Sequence, residues 1–80
     1  MTANLLSEGA VVALGERRLV GAFALAGVQV RAVEGAAEVR AAWESLDEGV
    51  ALVILTPHAG QVLGDEIDAV DAPLTAVLPS

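Results

Sequence analysis

The 80-residue sequence contains no cysteine, no lysine and no tyrosine, and only one histidine, one tryptophan and one phenylalanine. The lack of cysteine excludes disulfides, thiolate metal sites and a cysteine nucleophile, and fits a reducing compartment. The lack of lysine removes Schiff-base chemistry and the lysine of a phosphate-binding loop. Cations are scarce: four arginines stand against eleven acidic residues, for a net charge of -7. That is too few to neutralise a row of phosphates or to hold the protein on an anionic bilayer. A basic protein partner fits this charge, and nucleic acid does not. There is also no long hydrophobic run. The longest uncharged apolar stretch, Leu19 to Val28, has ten residues, whereas a spanning helix needs about 20. Arg17 and Arg18 precede it in the manner of a twin-arginine export signal, but the stretch divides into a helix and a strand. Met1 to Gly9 carries Glu8 and no positive charge, unlike a secretory leader, so a cytoplasmic protein is expected.

What is present is apolar and patterned. Hydrophobic residues make up 55% of the chain and mean hydropathy is +0.64, a composition that folds. Residues 1–80 are expected to form one domain around one core, with residues 1–9 as a flexible N-terminal extension. Ala10 to Leu14, closed by Gly15, reads as a strand buried on both faces. Leu19, Ala22, Phe23 and Ala26 form a helical stripe that ends at Gly27. Val28 to Val33 alternates, as an edge strand does. Val39, Trp43 and Leu46 mark a second helix over Gly35 to Asp47. Val50 to Thr56 is the most apolar and β-branched segment and reads as a central strand. Leu63, Ile67 and Val70 mark a third helix between Ala59 and Val70, and Leu74 to Leu78 is a last short strand. Alternating strands and helices with short links predict an α/β fold: a small doubly wound, Rossmann/flavodoxin-like parallel sheet of four strands in order 2-1-3-4, with three helices.

In such a sheet, ligands and partners favour the carboxyl ends of the strands where the strand order reverses. Two loops meet there, bringing Gly15, Glu16 and Arg17 beside Thr56, Pro57 and His58. Glu16 and His58 form a candidate acid and base pair. The simpler reading makes Glu16 a favourable charge at a helix start and His58 a solvated loop residue, and it is preferred. A phosphoryl-accepting receiver needs an Asp at the end of the third strand and a Lys near the last, but the third strand ends in Leu55 and Thr56 and lysine is absent. Gly15-Glu16-Arg17-Arg18-Leu19-Val20 lacks the glycines of a dinucleotide fingerprint. One histidine among scattered carboxylates makes no transition-metal motif. Neither a cofactor nor a catalytic residue is therefore expected.

Further motifs point to a family. Gly15, Val20, Phe23, Leu25, Ala26, Gly27 and Val28 match the G-D-x-x-T-V-x-G-F-R-L-A-G-V pattern after the first strand of the F subunit of rotary V/A-type ATPases. Val53-Ile54-Leu55-Thr56 resembles that family's third strand. Ile67 through Pro73 to Pro79-Ser80 resembles its E-I-x-x-x-x-x-P-x-x-x-x-I-P-S ending. Glu16, Leu19, Ala22 and Ala24 depart from the pattern, where the family has Asp, Thr, Gly and Arg. Members usually continue into a C-terminal helix beyond the position of Ser80, so a form without that helix is expected. The resemblance implies a non-catalytic rotor subunit that docks on the coiled-coil central stalk and helps couple ATP hydrolysis or synthesis to ion transport. The catalytic headpiece would be a further partner, and the location would be cytoplasmic and peripheral to the membrane. Gly15, Glu16, Arg17, Thr56 and His58 are the partner-binding candidates. The alternative is a small acidic module that binds another regulator or associates with itself.

Overall fold

The computed structural model describes residues 9–79, so the expected flexible extension, residues 1–9, lies outside the described residues except for Gly9. Two apolar segments form the centre of a sheet: β1, Ala10–Gly15, and β3, Val50–Leu55. Five of the six residues of β1 are buried, as a strand flanked on both sides and covered on both faces requires. The sheet is wholly parallel, in the order β2-β1-β3-β4, with β2 at Gln29–Ala32 and β4 at Leu74–Val77. Both the predicted strand order and the edge position of the alternating segment are found. Val12 and Leu14 lie beside Val53 and Leu55 in the register of β1 with β3.

The helices depart from their predicted lengths. The first is a single α-helical turn, α1, Arg17–Val20, followed by a 3-10 segment, Gly21–Ala26. The predicted stripe is therefore corrected: Val20 is fully buried, whereas Ala22 and Ala26 are exposed. Three residues per turn instead of 3.6 rotates the side chains away from the α-helical stripe, and Gly21 is a poor residue with which to continue an α-helix. Gly27 ends the segment at φ 83° and ψ 9°, a left-handed conformation that favours glycine. A Cβ there would meet no other atom. Gly27→Ala is therefore expected to cost about 1 kcal/mol from backbone strain alone, read as a lower urea midpoint with an unchanged slope.

Helix α2, Ala36–Glu44, buries Val39 and packs Trp43 at the margin of the core, with Leu46 just beyond its end. It stops before the predicted Asp47, where Ser45 Oγ donates to the Ala42 carbonyl at 3.0 Å and competes with further helical turns. Helix α3, Pro57–Leu63, passes into a 3-10 turn, Gly64–Asp68. Leu63 is buried and Ile67 half-buried as predicted, but Val70 is fully exposed, because the helix breaks at Gly64 and its stripe does not reach that far.

Right-handed crossovers place α1 on one face of the sheet and α2 and α3 on the other. The core cluster lies beneath α2 and α3 and comprises Leu14, Val39, Val53, Leu55, Ala59 and Leu63. Each leucine or valine among them contributes about 1.5–3 kcal/mol when fully buried. On the opposite face, α1 and its 3-10 extension pack on β1 and β2.

Candidate functional site

β1 leads to a helix on one face and β3 to a helix on the other, so a crevice opens between their carboxyl ends. Its floor is fixed by backbone bonds. The Thr56 N–H donates to the Leu14 carbonyl at 3.3 Å, Val33 to Gly15 at 2.9 Å, and Leu78 to Leu55 at 2.8 Å. Gly15 and Thr56 are both buried there, and a Cβ on Gly15 would overlap the Thr56 side chain. Thr56 caps α3, its Oγ1 accepting from the Ala59 N–H at 3.2 Å, with Pro57 in the first turn. The Thr56 hydroxyl proton then goes to Glu16 Oε1 at 2.5 Å. One buried hydroxyl thus ties the loop after β1 to the start of α3.

That hydroxyl is also the main reason the Glu16 carboxyl titrates below its ordinary value. Partial burial opposes the effect, while the residue's own backbone N–H and the charges of His58 and Arg18 add to it. A carboxylate held in this way is ionised and a weak base at neutral pH, which argues against Glu16 taking a proton from His58 or from a bound group. A second link ties the neighbouring loop. Glu34 Oε2 accepts from the Arg17 N–H at 3.1 Å, and Glu38 Oε1 accepts from Glu34 and Gly35 N–H groups at 2.9 and 3.3 Å. These two bonds hold the exposed Glu38 carboxyl below its ordinary value. Gly35, at the N-cap of α2, has no side chain to complete a capping box.

Over the crevice lies an open groove of about 380 Å³, lined by Glu16, Arg18, Leu19, Pro57, His58, Gln61, Leu78 and Pro79. Of the predicted site residues, Glu16 and His58 line it, and Gly15 and Thr56 lie buried behind it. Arg17 is exposed but does not line the groove, and its neighbour Arg18 does. Sequence reasoning missed Leu19, Gln61, Leu78 and Pro79. Leu78 and Pro79 were accessible in principle, since the order 2-1-3-4 places the end of β4 beside that of β3. Among the described residues, no three His, Asp or Glu side chains gather as metal ligands would.

The family described as ATP synthase (F/14-kDa) subunit matches residues 11–80. The chain belongs to it. Compared with curated proteins, the chain has no match. Membership makes this 14-kDa-family chain a part of an ATP synthase or V-type ATPase complex, on a Rossmann-like fold. Among its described residues no helix is long and apolar enough to cross a membrane.

The opposite, amino-terminal end of the sheet differs in charge. A groove of about 580 Å³ there has Trp43, Leu46, Val50 and Pro73 among its lining, together with the carboxylates of Glu44, Asp47, Glu48, Glu66 and Asp71. Arg40 Nε stands 3.9 Å from Glu66 Oε2 in an exposed pair, which adds little to stability.

Proposed function

We propose that the protein is a non-catalytic central-stalk subunit that docks on the coiled-coil stalk of a rotary ATPase and helps couple ATP hydrolysis or synthesis to ion transport. It sits peripheral to the membrane through the complex, on the cytoplasmic side. The observation that carries this reading is the family match over residues 11–80. The groove at the carboxyl ends of β1 and β3 is the docking edge. Glu16, Arg18 and His58 supply polar contacts, and Leu19, Leu78 and Pro79 supply apolar surface. Gly15 and Thr56 are buried, so they support Glu16 from behind, and Arg17 lies at the rim. The lowered titration of Glu16 suits this role, since a fixed carboxylate offers a stable partner for a cation on the stalk.

Calorimetric titration of the protein into the purified coiled-coil stalk subunit of the same cell tests the reading. Saturable one-to-one binding that weakens with added salt is expected, because the exposed part of the contact is screened. No detectable heat at either salt concentration, with both proteins folded, overturns it.

A further inference from the structure

A parallel sheet is ordinarily covered on both faces, and among the described residues no element covers half of one face. Side chains alternate along each strand. The registers Leu52 with Leu74 and Ile54 with Ala76 therefore place these four residues on the face opposite the core cluster. That face carries α1 and its 3-10 extension over β1 and β2. Over β3 and β4 the surface is apolar and open: Leu74 is 76% exposed, Ala76 is exposed, and Leu52 and Ile54 are half-buried. Their neighbours on the other face, Val53 and Leu55, are fully buried beneath α2 and α3.

We infer that this face of β3 and β4 receives one amphipathic α-helix of the stalk partner, lying beside α1 over the strands that the described residues leave uncovered. The inference rests on the proposed stalk role and names the surface that serves it. Two strands about 4.8 Å apart, flanked by α1, leave room for one helix about 10 Å across. Four residues of strand run about 13 Å, a little over two turns of helix. The patch also continues into the docking groove. Leu78 prolongs β4, its N–H bonded to the Leu55 carbonyl, and alternation puts it on the same face as Leu74 and Ala76. Leu78 lines the groove together with Leu19 of α1. The occupant therefore presents Leu, Ile or Val at helical spacing to Leu52, Ile54, Leu74 and Ala76. A second copy of this chain is a poorer occupant, because two molecules of net charge -7 repel one another.

Leu74→Glu and Ala76→Glu place a charge on the patch at exposed positions, and unchanged circular dichroism checks that each variant folds. Titrated into the coiled-coil stalk subunit, each is expected to bind about tenfold or more weakly than the unaltered protein. Glu48→Lys, in the acidic groove at the other end of the sheet, is expected to bind within about threefold of it. Methyl resonances of Leu52, Ile54 and Leu74 are expected to shift on complex formation. If Leu74→Glu and Ala76→Glu bind as tightly as the unaltered protein, this docking face is wrong and the stalk role stands. If the unaltered protein does not bind the stalk, the role and the face fall together. A concentration-dependent dimer that Leu74→Glu abolishes assigns the face to a second copy and overturns the helix.

Discussion

Gly15→Ala is expected to destabilise the protein by about 3 kcal/mol or more, lowering its melting temperature by roughly 15 °C for a domain of this size. Two costs combine. The backbone at Gly15 has a φ of 152°, which L side chains rarely adopt, and an added Cβ would overlap Thr56 Cγ2 and Oγ1 and lie 2.8 Å from Thr56 Cβ. Because Thr56 is branched at Cβ, rotating it returns another atom to the same space. Thr56 is also fully buried and bonded on both sides, so the adjustment must come from the backbone of β1 or β3. Gly21→Ala provides the contrast. Its φ of -56° and ψ of -36° are helical and its surroundings are open, so this variant is expected to be neutral or slightly more stable. Thermal melts of both decide the matter: equal, small shifts would show that the approach of Gly15 to Thr56 is unimportant.

The second large effect belongs to Thr56 itself. Thr56→Val keeps the shape but removes the hydroxyl, leaving the Ala59 N–H without a cap and Glu16 without its donor. A loss of about 2 kcal/mol is expected. It carries a pH signature. The Glu16 carboxyl titrates lower in the folded protein than its ordinary value of 4.5. Its contribution is therefore fully present above that value and is lost as pH falls through the lowered one. In Thr56→Val that acid-side dependence shrinks. The share from Glu38, whose carboxyl is lowered by the Glu34 and Gly35 N–H groups, remains. Urea unfolding from neutral pH down to about pH 3 reads the difference. An unchanged acid slope in Thr56→Val would show that Thr56 does not govern the Glu16 titration.

The same pair of residues shows how far the candidate site was legible. The sequence placed Gly15, Glu16, Thr56 and His58 at one crevice, because apolar runs closed by Gly15 and Pro57 marked where β1 and β3 end. It did not indicate that Thr56 bonds Glu16, since that bond spans 40 positions of the chain and depends on the register of β1 with β3. Nor did it separate Arg17 from Arg18. Which of two adjacent side chains faces a groove depends on the rotation of one helical turn, and a four-residue helix leaves almost no pattern to read. The 3-10 winding after α1 and α3 was lost for the same reason. Alanine, glycine and leucine repeats look alike at 3.0 and 3.6 residues per turn over so short a span.

By itself the sequence determined the strands, their order and the buried centre. Val12, Leu14, Val53 and Leu55 come from runs too apolar to lie at an edge, and links this short allow few topologies. It also determined the scarcity of catalytic groups and the family pattern that the match over residues 11–80 shows. Only the tertiary structure decided which apolar residues remain uncovered. Leu63 and Val70 belong to one predicted stripe, yet the first is buried and the second exposed. Leu55 and Leu74 are alike as side chains, yet one lies beneath two helices and the other faces solvent. Hydrophobicity is a property of a residue, whereas burial depends on whether another element is positioned to cover it.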